Sequence, residues 1–210
     1  METRLMESAS MESRPMEDWQ KLVDEVLELE WEMFTNVQNE GSRASCQDDR
    51  YTFQIMRSSQ FAVWNQPALE SWKQDLLGAK AADANLMTEK YGYMMEDTAP
   101  EAFEKIRELL PELSGEKRKL VEELTGWQVQ WREMAEVLYP EFGQQGRVLR
   151  KEDARCGETS LETYAKGELS TYSVGTLQLL KAHFQELVAA GVNPGLEILR
   201  ETMRQYGREL

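Results

Sequence analysis

Apolar residues that recur every three or four positions decide most of what this chain can fold into. Leu120, Leu124, Trp127, Trp131, Met134 and Leu138 follow one another at that spacing. The period stacks them on one stripe of an α-helix, which needs a neighbouring helix to cover it. The same period runs through Trp19, Leu22, Val23, Val26, Met33, Phe34 and Val37. No segment offers the alternation by two that marks a half-buried strand. The expected fold is therefore all-α, a single-domain array of about eight helices without a sheet.

Capping and breaking residues divide the array. Ser13 and Pro15 suit the first turn of a helix that Gly41 would close. A second helix is expected over 49–64, and Pro67 opens a third with Leu69, Trp72, Leu76 and Ala79 on one side. Asp83 is placed to cap a fourth over 84–97, and Thr98 to cap a short fifth beginning at Pro100. Ser114 precedes the Leu120–Leu138 helix. Residues 139–158, with Pro140, Gly143, Gly146 and Gly157, read as a long loop. A short helix near 160–166, a longer one over 173–190 ended by Gly191, and a last one from Pro194 complete the chain. Residues 1–14, where Met6-Glu7-Ser8 is echoed by Met11-Glu12-Ser13, read as a disordered leader to a helical domain over 15–207.

Charge narrows the classes of partner. The 210 residues carry a net charge of −14, which argues against nucleic acid and anionic membrane surfaces, because both require basic patches. Acid is concentrated early, with eleven Asp/Glu against three Lys/Arg in residues 1–40. No apolar run approaches the roughly 20 residues of a membrane-spanning helix, and the N-terminus lacks the apolar core of a secretory signal. Cys46 and Cys156, both in stretches read as loops, point to a reducing, cytoplasmic setting and are too few for a cysteine-based metal site.

Polar residues on apolar stripes carry the functional information, since a buried polar group is costly unless paired. Glu30 lies one turn after Val26 and one turn before Phe34, so burial without a partner would raise its pKa or demand a cation beside it. Phe53, Arg57, Gln60 and Trp64 share a face of the second helix, half of it polar. The fourth helix adds Asn85, Glu89, Lys90, Tyr91 and Glu96, and the third adds Asp75. Glu162 and Glu168 flank Tyr164, with Gly167 expected to break the helix between them. Carboxylates converging from several helices are the raw material of a Mg²⁺ or Mn²⁺ site. The ferritin-type di-iron arrangement is excluded by the single histidine, His183, which reads as a packing or surface residue. Glu25-x-x-Glu28 has a metal-ligand spacing but sits off the apolar stripe. No phosphate-cradling glycine loop and no nucleophile elbow is present.

Several runs together carry a resemblance: Phe34-Thr-Asn-Val-Gln-Asn-Glu-Gly41, Ser45-Cys-Gln-Asp-Asp49, Met56-Arg-Ser-Ser-Gln-Phe61, Asn85-Leu-Met-Thr-Glu-Lys-Tyr91 with Met94-Met95-Glu96, and Glu168-Leu-Ser-Thr-Tyr172. They resemble an uncharacterised bacterial family known only as a domain of unknown function, over about residues 20–207. The resemblance implies a bacterial cytoplasmic protein and transfers no activity, ligand or catalytic residue.

Two functions fit these residues. The first is a non-enzymatic binding or accessory module without a cofactor. Its polar-lined interhelical pocket would hold a small molecule or protein partner through Glu30, Arg57, Gln60, Asn85, Glu89, Lys90 and Tyr91. The alternative is a hydrolase-like enzyme whose Mg²⁺ or Mn²⁺ would be held by Glu30, Asp75, Glu89 and Glu96. A third possibility is an oligomeric role with Trp127 and Trp131 as an exposed seam.

Overall fold

The computed structural model describes residues 3–38, 43–140 and 146–209, and side chains from Met16 onward. Among the described residues it is helical throughout, with no strand. We number the helices α1 (Thr3–Thr35), α2 (Arg50–Phe61), α3 (Gln66–Ala81), α4 (Leu86–Thr98), α5 (Pro100–Ile106), α6 (Gly115–Leu138), α7 (Leu161–Leu169), α8 (Val174–Ala189) and α9 (Pro194–Gln205). Three single turns of 3₁₀ helix lie at Ser45–Asp48, Arg107–Leu109 and Lys151–Asp153.

Short polar side chains start most of these helices. Asp49, Asn65, Asn85, Ser114, Ser160, Ser173 and Asn193 each accept a hydrogen bond from a backbone N–H of the first turn. Each such cap contributes about 1 kcal/mol. Asp83, expected to cap α4, instead adopts the left-handed conformation at φ 54°, and Asn85 two residues on takes the role. Thr98 ends α4, its hydroxyl donating back to Met94 O, and does not cap α5. The first helix begins at Thr3, so Ser13 and Pro15 lie within it. Gly41 lies outside the described residues. The C-terminal end of α1 is closed by buried Gln47, whose amide donates to Phe34 O and Val37 O at 2.9 Å each.

One core cluster draws Val26 from α1, Phe61 from α2, Leu69, Trp72 and Leu76 from α3, Leu86 from α4, Leu124 from α6, Leu169 from α7 and Leu177 from α8. The α6 stripe is buried at Leu120, Leu124 and Trp131 but reaches solvent at Met134 and Leu138. Trp131 packs edge-on to Phe184 of α8 at 5.2 Å, and Trp127 leans on the same core. These tryptophans therefore form no exposed seam.

Gly167 does not break α7. It lies inside the helix, where an added Cβ would come within 2.5 Å of Met94 Cγ and 2.9 Å of Lys90 O. The absence of a side chain lets α7 approach the backbone of α4, which brings Glu168 beside Lys90. The described residues of the expected loop 139–158 include the 3₁₀ turn at Lys151–Asp153 and lead into α7. There Leu161 and Glu162 donate backbone hydrogen bonds to Val148 O and Leu149 O. Cys46 sits in a 3₁₀ turn, and both cysteines are free and exposed.

Candidate functional site

The period of α1 turns Glu30 inward with Val26 and Met33, and its exposure is 0 %. The i, i+3 spacing of α2 directs Arg57 and Gln60 to the same place. Arg57 binds Glu30 through two parallel contacts, Nη2 to Oε1 at 2.6 Å and Nε to Oε2 at 2.7 Å. The indole N–H of Trp72 on α3 gives Glu30 Oε1 a further hydrogen bond at 2.7 Å. The remaining guanidinium nitrogen, Nη1, donates to Gln60 Oε1 and to Glu168 Oε1, the latter at 2.7 Å. Lys90 from α4 closes on Glu168 Oε2 at 2.5 Å, and the Tyr172 hydroxyl donates to Glu168 Oε1 at 2.8 Å. Side chains of five helices and the α7–α8 turn thus meet in one hydrogen-bonded chain.

Two carboxylates face two cations, so the four charges cancel. Aromatic rings exclude water around them: Phe61 lies under Arg57 at 5.1 Å, Tyr164 under Lys90 at 3.7 Å, and Trp72 against Tyr172 at 4.3 Å. In such surroundings each hydrogen bond is stronger than in water, and any unpaired member would be costly. Burial opposes ionisation of Glu168, but the charges of Arg57 and Lys90 outweigh it and hold the carboxyl well below the usual carboxylate range. Burial likewise works against the Arg57 charge, and Glu168 and Glu30 outweigh it, raising Arg57 well above its ordinary value. Lys90 is raised in the same way by Glu168 against burial. Burial, and after it Glu168, lifts the Tyr172 phenol.

Of the residues expected to line a pocket, Glu30, Arg57, Gln60 and Lys90 come together. The other three do not join their hydrogen-bond chain. Asn85 caps α4 and donates to Met33 O at 2.8 Å, tying α4 to the end of α1. Tyr91 packs against the core, where burial raises its phenol. Glu89 is half-buried on another side of α4; burial raises its carboxyl against the pull of Lys117.

The four acids considered for a metal each have separate surroundings. Glu30 is held by Arg57 and Trp72. Asp75 accepts from Ser173 N at 2.9 Å and Thr176 Oγ1 at 2.7 Å at the start of α8. Glu96 is exposed and pairs with Lys166 at 2.7 Å. Among the described residues no group of three or more His, Cys, Asp or Glu is placed to hold a metal ion. His183 is partly buried, 3.6 Å from Glu186.

Glu168, Tyr172 and Trp72 complete the cluster without having been assigned to it from the sequence. Glu168 and Tyr172 bound one of the runs that carry the family resemblance, and their i, i+4 spacing was the available signal. Trp72 reads as apolar core, and only its indole N–H reveals a second role. Open surface lies elsewhere. A groove of about 560 Å³ between the end of α2, α8 and α9 is lined in part by Ala62, Val63, Leu187 and Val192. A smaller one of about 330 Å³ runs beside α5.

The fold and this centre define an all-helical protein with a self-neutralised polar core. No described helix is long and apolar enough to cross a membrane. The chain belongs to a family described as a protein of unknown function (DUF4125), which matches residues 20–210. No curated protein and no solved structure matches it.

Proposed function

We propose that this chain is a non-enzymatic binding or accessory module, whose buried polar cluster is the interior of its frame and whose small-molecule or protein partner meets an outer face. One observation carries this reading. Glu30, Arg57, Glu168 and Lys90 satisfy one another, with short contacts, balanced charge and aromatic cover. A ligand bound there would first have to break a buried ion pair, and stripping one partner from such a pair costs about 3–5 kcal/mol. The spread of Glu30, Asp75 and Glu96 among separate partners supports the same reading over one with carboxylate-bound Mg²⁺ or Mn²⁺.

Thermal unfolding with Mn²⁺, and with Ca²⁺ at equal ionic strength, tests it. A chain of −14 attracts both ions diffusely, so equal small shifts are expected. A rise of several degrees with Mn²⁺ alone, lost in Glu89→Gln, would overturn the reading in favour of the metal enzyme, because selective stabilisation requires a site in the folded state.

A further inference from the structure

We propose that the outer stripe of α9 is a homodimer contact, which pairs the helix antiparallel with α9 of a second copy of this chain. The inference is independent of the binding-module reading. Two chains of −14 each repel, so a self-contact must lie on a face that is locally neutral and carries both signs in a self-complementary order. The α9 stripe meets both conditions. Glu197, Arg200, Glu201 and Arg204 project outward with side-chain exposures of 39, 49, 23 and 72 %. A two-fold axis between residues 200 and 201 sets Glu197 opposite Arg204 of the second copy, and Arg200 opposite Glu201 of the second copy. Applied in both directions, that register makes four intermolecular ion pairs.

In the single chain these residues pair along their own helix, Arg200 with Glu197 at 2.5 Å and Arg204 with Glu201 at 2.6 Å. The single exposed contact of Arg200 with Glu197 contributes little, so exchanging it across an interface costs little; Glu201 is held by two Arg204 nitrogens and by Gln205, so its exchange is the costlier one. The 560 Å³ groove beside the stripe supplies apolar area through Ala62, Val63, Leu187 and Val192, and the three arginines and three glutamates that also line it balance in charge. The groove beside α5 offers no such match. Glu96, Glu101 and Glu104 face only Arg107 there, and a second acidic copy would be repelled.

Sedimentation equilibrium at roughly 1 to 200 μM, a range that brackets weak homodimers, tests the contact with two charge-uniform variants. Glu197→Arg with Glu201→Arg makes the stripe basic, and Arg200→Glu with Arg204→Glu makes it acidic. The wild type is expected to dimerise. Each variant alone should associate about tenfold or more weakly, and an equimolar mixture should recover the dimer. Far-ultraviolet circular dichroism checks that the variants are folded; should one fail, Arg200→Gln with Arg204→Gln is the milder substitute and should also weaken association. A wild type that stays monomeric across the range would overturn the proposal. So would association indifferent to charge reversal, or variants that separate but do not recombine when mixed.

Discussion

Arg57 and Glu168 are 111 residues apart in the sequence, yet Arg57 Nη1 lies 2.7 Å from Glu168 Oε1 in the interior. That contact closes the chain that begins with Glu30 on α1 and ends with Lys90 on α4. Each charge is neutralised by members on other helices, so the cluster forms only when those helices reach their native packing. The predictions below follow from that dependence.

Trp72→Phe removes one neutral donor from Glu30 while leaving both Arg57 contacts in place. Since a buried acceptor loses only one of its bonds, urea unfolding should show a loss of about 1–3 kcal/mol. No loss would mean that the indole N–H contributes nothing measurable to stability.

Glu168 gives the cluster its pH dependence. Its folded-state pKa lies below the unfolded value of about 4.3, so its contribution is complete above that pH and fades as pH falls below it. Arg57 and Lys90, both raised, lose theirs only in strong alkali. Glu168→Gln should therefore be less stable than wild type by about 3–5 kcal/mol at neutral pH. Urea midpoints from pH 7 down to pH 2 should show the gap narrowing below about pH 4.

Glu89 has the opposite sign. Its pKa is raised in the folded state, first by burial, so ionisation above the unfolded value disfavours folding. Glu89→Gln should raise the thermal midpoint slightly at pH 7, and the difference should vanish in acid. A fall at pH 7 would show that attraction from Lys117 outweighs burial.

Two glycine substitutions should act in opposite directions. Gly167→Ala drives a methyl into Met94 Cγ and the Lys90 carbonyl; overpacking of this kind costs about 1–3 kcal/mol. Gly126→Ala, within α6 with nothing within 4 Å, should gain about 0.5–1 kcal/mol from helix propensity. Denaturant unfolding of both variants checks the pair.

The helical class and much of the cluster were legible in the sequence because their signals are local. Glu30 stood out by interrupting an apolar stripe, and Arg57 and Gln60 by sharing a half-polar face. Adjacency in sequence misled at Glu89, which neighbours Lys90 but lies about 100° around the helix from it. Gly167 read as a breaker because its role, close approach to α4, depends on a helix more than seventy residues away. The hydrogen bonds that Asp75 accepts from Ser173 and Thr176 at the start of α8 depend on the packing of α3 against α8, which spacing along either helix does not encode. Glu168 belonged to a recognised motif, but its charge partners come from α2 and α4, and only the assembled array identifies them.

Equilibrium urea unfolding of Arg57→Met tests the central claim most directly. If Arg57 is the internal partner of Glu30 and Glu168, its removal leaves the buried Glu30 charge with only the Trp72 N–H, while Glu168 keeps Lys90 and Tyr172, and should lower stability by about 3–5 kcal/mol. A variant within about 0.5 kcal/mol of wild type, the range of ordinary surface substitutions, would contradict the account and return Arg57 to the candidates for ligand binding.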